Sequence, residues 1–163
     1  MNQILKKYKP EIEKILAKYP ADQKRSAVMP LLYIAQREKM YVSEQDMAEI
    51  GAILDLDPTE VGSIVGYYTL YYDEPGGKSR IQICTDLPCD LRGADAFAAG
   101  LCERLGIQLG ETTADGEVTV EAVMCLAACD KAPMFQLQNG SGLKYYENQT
   151  VESALQMIEE LRK

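Results

Sequence analysis

The chain has five cysteines and no histidine in 163 residues. Four of the cysteines form two spaced pairs, Cys84-x4-Cys89 and Cys125-x3-Cys129, and Cys102 stands alone between them. In a reducing cytosol, clustered cysteines are more often ligands or redox groups than disulfides. The missing histidine excludes a Ser-His-Asp triad, a Cys-His nucleophile, a His-ligated zinc site and a Rieske cluster. Any metal must therefore be held by sulfur, by oxygen or by both. A [2Fe–2S] cluster suits this donor set. Its oxidised core carries +2, four thiolates bring the site to −2, and one added electron takes it to −3. Free thiols titrate near ~8.5, and bound metal deprotonates them outright. Backbone N–H groups of flexible loops then offset the negative charge and help set the potential. A structural zinc site with four cysteine ligands uses pairs of similar spacing on short hairpins, and it remains open on spacing alone. A dithiol reductase is a weaker third reading, since no C-x-x-C is present. Cys102, inside an apolar helical pattern, reads as a small buried hydrophobe.

The elements that must position these residues follow from periodicity. Up to about residue 70 the chain reads as helices. Pro10 opens one, with Ile12, Ile15, Leu16 and Tyr19 at helical spacing before Tyr19-Pro20 ends it. A second is expected over 22–39, with a kink or break at Pro30. Ser43-x-x-Asp46 and Asp57-Pro58-Thr59-Glu60 are start signals for two more. Residues 66–72, with tyrosines at 67, 68, 71 and 72, read as extended, with alternate rings packed on the core. The turn at 73–77 divides a helical domain, 1–72, from a second domain, 73–163.

Beyond that turn the period changes. Strands are expected at 80–84 and 118–124, a hairpin over 134–138 and 143–146 around Asn139-Gly140, and helices at 92–105 and 151–162. The order β-α-β-β-β-α predicts a small sheet with helices packed on it, an α/β (α+β) fold. Each cysteine pair then follows the carboxyl end of a strand, where ligands gather in open α/β sheets. Adjacent strands lie about 4.8 Å apart, so two such loops can bring four sulfurs together. Asp86, Asp90 and Asp130 lie beside the cysteines and would oppose the addition of an electron; Arg92 and Lys131 carry the opposite sign.

The remaining features narrow the function. Lysines and arginines number 17 against 25 acids, for a net charge of −8, so nucleic acid is not an expected partner. The longest apolar run, 27–35, contains Pro30 and falls short of the roughly 20 residues a spanning helix needs. The first residues lack the apolar stretch of a signal peptide. We expect a cytoplasmic protein that meets the inner membrane only through partners. Gly77-Lys78-Ser79 is not a phosphate loop, because Tyr72 stands where that pattern needs glycine and the tract precedes a strand. No G-x-G-x-x-G is present, so NADH is expected to bind elsewhere.

Two tracts carry a family resemblance. They are Cys84-Thr85-Asp86-Leu87-Pro88-Cys89-Asp90-Leu91-Arg92-Gly93-Ala94 and Cys125-Leu126-Ala127-Ala128-Cys129-Asp130-Lys131-Ala132-Pro133. Together with Met29-Pro30-Leu31-Leu32, Ala35-Gln36 and Tyr68-Thr69, they resemble the thioredoxin-like [2Fe–2S] ferredoxins that serve as the 24 kDa subunit of bacterial NADH–quinone oxidoreductase, respiratory complex I. The resemblance implies a helical N-terminal domain followed by a thioredoxin-like domain. It implies Cys84, Cys89, Cys125 and Cys129 as ligands of one [2Fe–2S] cluster, with no catalytic residue on this chain. It also implies docking on a flavoprotein subunit that holds FMN, NADH and a [4Fe–4S] cluster, so the isolated chain would not oxidise NADH. The same module serves NAD(P)-linked hydrogenases and formate dehydrogenases. Ala127 stands where the family commonly has glycine; if that position needs positive φ, alanine strains the loop.

Overall fold

A computed structural model describes residues 3–162; Met1 and Asn2, part of the signal-peptide reading, lie outside it. The chain forms two compact units, Met1–Pro75 and Gly76–Lys163.

The first unit is helical: α1 (Gln3–Lys7), α2 (Lys9–Leu16), α3 (Val28–Lys39), α4 (Glu44–Leu54) and α5 (Pro58–Tyr67), with a 3-10 segment at Ala21–Ala27. The start signals act as expected. Ser43 and Asp46 form a reciprocal capping box on α4, and Asp57 and Glu60 form another on α5, with Pro58 in the first turn. The apolar faces meet in a core of Leu5, Ile12, Leu31, Leu32, Ile50 and Val61, each buried. Each such side chain contributes roughly 1.5–3 kcal/mol by leaving water.

Two expectations are corrected here. The helix expected over 22–39 is a 3-10 segment followed by α3, so the break precedes Pro30 rather than falling at it. Pro30 occupies the first turn of α3, where its missing N–H has no helical partner to lose. Residues 66–72 are not a strand. Helix α5 runs through Tyr67, Tyr68 caps it, and Tyr71 N–H donates to Tyr68 O at 3.0 Å in a turn. Tyr67 is exposed, whereas Tyr71 packs against the helical core and its hydroxyl donates to Met29 O at 2.9 Å. The helical stripe of Val61 and Val65 outweighs the β propensity of the aromatics that follow it.

The second unit holds a four-stranded sheet of β1 (Ser79–Cys84), β2 (Val118–Val123), β3 (Phe135–Asn139) and β4 (Gly142–Tyr146), in the order β2-β1-β3-β4. Strand β1 pairs parallel with β2 and antiparallel with β3; β3 and β4 form the hairpin. The β1–β2 crossover carries a short helix, α6 (Leu87–Asp90), and then α7 (Ala94–Leu105), closed by Gly106 at φ +68°; α8 (Val151–Leu161) ends the unit. Ile81, Ile83, Val120, Phe135 and Leu137 pack with Phe97 and Leu101 of α7 and Ile158 of α8. Arg80, Gln82, Thr119, Glu121 and Gln136 alternate with them on the other face. There Arg80 meets Glu121 at 2.5 Å, and Gln136 donates to Gln82 at 2.6 Å. Gly77 lies under the sheet margin, where an added Cβ would stand 2.7 Å from Thr119 N, and Lys78 pairs with Glu117. That tract seats a strand.

Candidate metal centre

Strand register places both cysteine pairs at one end of the sheet. Cys84 is the last residue of β1 and pairs with Val123, the last of β2. Phe135 begins β3 opposite Ile83, so the segment between β2 and β3 returns to the same end. Thr85 N–H donates to Val123 O at 3.1 Å and carries the ladder one step beyond the strands.

Helix α6 follows at once and includes Cys89, and no helical period in the residues announces it. Asp86 caps it, its carboxylate accepting from Leu87 N–H at 3.0 Å, and Pro88 lies in its first turn. The helix expected from Arg92 begins instead at Ala94, because Gly93 turns the chain at φ +91°. Helix α6 has four residues, too few to show a period, so only the cap and the proline signalled it.

Cys129 opens a 3-10 turn, Cys129–Lys131. Three hydrogen bonds tie this loop to its neighbours. Arg92 Nε donates to Ala132 O at 3.2 Å, Asn148 N–H to Lys131 O at 2.7 Å, and Gln149 N–H to Pro133 O at 2.8 Å. The Arg92 clasp joins the two cysteine loops directly.

Cys84, Cys89 and Cys129 converge. Cys84 and Cys89 are buried with Ala94, Ala132 and Met134, and Cys129 packs against that group with Ala128 and Leu126. Burial pushes the Cys89 thiol up to about 12, and its contacts with Cys84 and Cys129 push in the same direction. A thiol so placed stays protonated at neutral pH unless a cation replaces the proton. Cys125 lies on the same loop and is exposed. Cys102 lies apart in α7, buried in the core under the sheet, and desolvation raises its thiol as well. Among the described residues grouped at the convergence the metal-binding donors are sulfurs, which fits an iron–sulfur centre. Among the described residues no three Cys, Asp or Glu side chains are grouped so as to hold one metal ion.

The fold and its thiols define a class: a small α/β domain with two cysteine pairs at one end of its sheet. The sequence pattern of the thioredoxin-like [2Fe–2S] ferredoxins matches residues 12–162, and the chain belongs to that family. A component of the NADH-quinone oxidoreductase of Mycobacterium tuberculosis is 34% identical over 159 residues, covering 98% of this chain and 61% of the relative. NADH-quinone oxidoreductase subunit 2 of Thermus thermophilus is 38% identical over 128 residues, covering 78% of this chain and 71% of that one. The chain thus spans about three fifths of the length of the mycobacterial relative. Among solved structures, a crystal structure of an NAD+-reducing [NiFe]-hydrogenase in the H2-reduced state superposes with a TM-score of 0.70. The match has 22% identity and covers 83% of this chain and 22% of that chain. It supports the fold.

Proposed function

We propose that this chain is the electron-transfer subunit of an NADH–quinone oxidoreductase, holding one [2Fe–2S] cluster on Cys84, Cys89, Cys125 and Cys129. The observation that carries the reading is the convergence of Cys84, Cys89 and Cys129 in one buried seat, with Cys125 on the same loop. The cluster supplies a one-electron couple and needs no proton from the chain. The residues of the chain hold and insulate it. Cys84 and Cys89 supply the buried side, α6 and the 129–131 turn close around it, and Ala94, Ala132 and Met134 exclude water. The partner in this reading is the FMN- and NADH-binding flavoprotein subunit with its own [4Fe–4S] cluster. Among the described residues no helix is long and apolar enough to cross a membrane, so membrane association would come through the complex. The helical unit then acts as a separate N-terminal domain. A hydrogenase host is the second reading, favoured by the fold match to the NAD+-reducing enzyme.

The test is anaerobic purification. A red-brown protein with iron and sulfide, giving a paramagnetic signal after dithionite, is expected; a pale, iron-free sample overturns the proposal. Serine at position 84, 89, 125 or 129 should weaken or abolish the cluster, and Cys102→Ser should leave it intact.

A further inference from the structure

Cys89 and Cys129 meet through their thiols, and their main chains are joined as well. Three hydrogen bonds run in series from one to the other, with Arg92 in the middle. Arg92 N–H donates to Cys89 O at 3.1 Å, Arg92 Nε donates to Ala132 O at 3.2 Å, and Ala132 N–H donates to Cys129 O at 3.3 Å. One residue thus grips both cysteine loops, the first with its backbone and the second with its side chain. Its own place is set on either side: α6 ends at Asp90, and Gly93 turns the chain into α7 at φ +91°.

The second loop has little else to fix it. Between the end of β2 at Val123 and the start of β3 at Phe135, its regular structure is the three-residue turn Cys129–Lys131. Carbonyls of irregular backbone must find donors elsewhere. Three consecutive ones do so: Lys131 O accepts from Asn148 N–H, Pro133 O from Gln149 N–H, and Ala132 O, between them, from Arg92. Two of these donors are backbone groups that a substitution leaves in place. The third is a guanidinium, whose charge strengthens the bond. Ala132 is buried, so water does not simply replace a lost donor there.

We propose that Arg92 is a positioning residue for the thiol seat: by fastening Ala132 O it holds the Cys129 loop against Cys89, using donors and acceptors of the chain alone. What the seat holds rests on the cluster assignment above. Groups that orient metal ligands from behind govern how firmly the metal is kept, and losing one typically costs about tenfold or more in affinity.

The experiment uses the full-length chain in two forms, loaded with iron and sulfide under argon, and metal-free with its thiols reduced. Arg92→Met keeps the stem and removes the donor. Arg92→Lys keeps the charge and removes the Nε–H. Arg104→Met, at an exposed position in the last turn of α7, removes the same charge elsewhere and serves as the control. In the metal-free Arg92→Met chain, amide exchange over 129–134 should accelerate by about fivefold or more, while β1 and α7 keep their rates. In the loaded chain, iron release to a chelator should accelerate by about tenfold or more, and the paramagnetic signal of the reduced protein should change shape. Arg92→Lys should fall between Arg92→Met and wild type, and Arg104→Met should match wild type throughout. Unchanged exchange at 129–134 in Arg92→Met overturns the clasp. Faster exchange with unchanged iron release and signal overturns it too, because the hold then does not serve the metal. So does Arg92→Lys keeping its iron like wild type while its loop exchanges as fast as that of Arg92→Met, which assigns the effect to charge. If Arg92→Met also loosens β1 or α7, Arg92→Lys carries the test, and loop exchange equal to wild type overturns the clasp. A wild-type chain that takes up no iron overturns the cluster assignment, and the exchange measurements still decide the clasp.

Discussion

Ala127 sits in the Cys125–Cys129 loop at φ +57°, a conformation that glycine adopts freely and alanine does not. The strain is local to the cysteine loop, and Ala127→Gly should relieve it. The gain is about 0.5–1 kcal/mol after the extra entropy glycine loses on folding. Denaturant unfolding of the second unit measures it; a variant less stable than wild type would refute the account. Asp86 acts at the same scale. Its carboxylate caps α6 three residues from Cys89 and opposes added negative charge. Asp86→Asn keeps a cap acceptor and removes the charge, so the midpoint potential should rise by about 10–30 mV after solvent screening. A redox titration showing no change, or a fall, would count against it. The placement of the two cysteine pairs was legible because Cys84 ends an alternating strand and Cys125 follows another, which brings both loops to one end of the sheet. The differing exposure of Cys125 and Cys89 was not, since it depends on how α6 folds over one pair and leaves the other open.

Among the elements, α4 shows how local chemistry fixes a boundary. Asp46 is fully buried, accepts from Ser43 N–H at 2.9 Å and pairs with Lys39 at 2.5 Å. Burial alone would raise its carboxyl, but the hydrogen bonds from Lys39 and Ser43 outweigh it and hold the group below the ordinary 3.8. The folded state therefore binds this proton less readily than the unfolded chain. Its contribution is complete above the ordinary value and is lost as pH falls through the lowered one. Asp46→Ala should cost the helical unit about 1–2 kcal/mol at pH 7. The difference from wild type should shrink in acid titrations below pH ~4, and a gap that is the same at every pH would sink the argument. Both capping boxes were readable because each is settled within four residues. The run at 66–72 was misread because its rings look β-like in isolation, whereas packing of Val61 and Val65 carries α5 through Tyr67.

For the whole molecule, the two compact units carry different duties under the proposed function: one holds the thiols, and the other is a helical body without cysteines. Removing iron with a chelator should therefore loosen one unit selectively. Amide exchange in 85–93 and 124–134 should accelerate by about tenfold or more, while α3, α4 and α5 keep their rates. Equal acceleration across both units would contradict that division. Composition had already signalled the acidic charge, but not which residues meet beside the cysteines, because that grouping exists only once two distant loops come together.

Register carries one more consequence, for the order of assembly. Cys84 and Cys129 become neighbours only after β1 has paired with β2 on one side and β3 on the other. A chain emerging from the ribosome with β3 still inside has already delivered every thiol but has nowhere to seat them. Under the proposed function, iron loading waits on completion of the sheet, and any mutation that delays β3 docking lengthens the interval in which bare cysteines face oxidants.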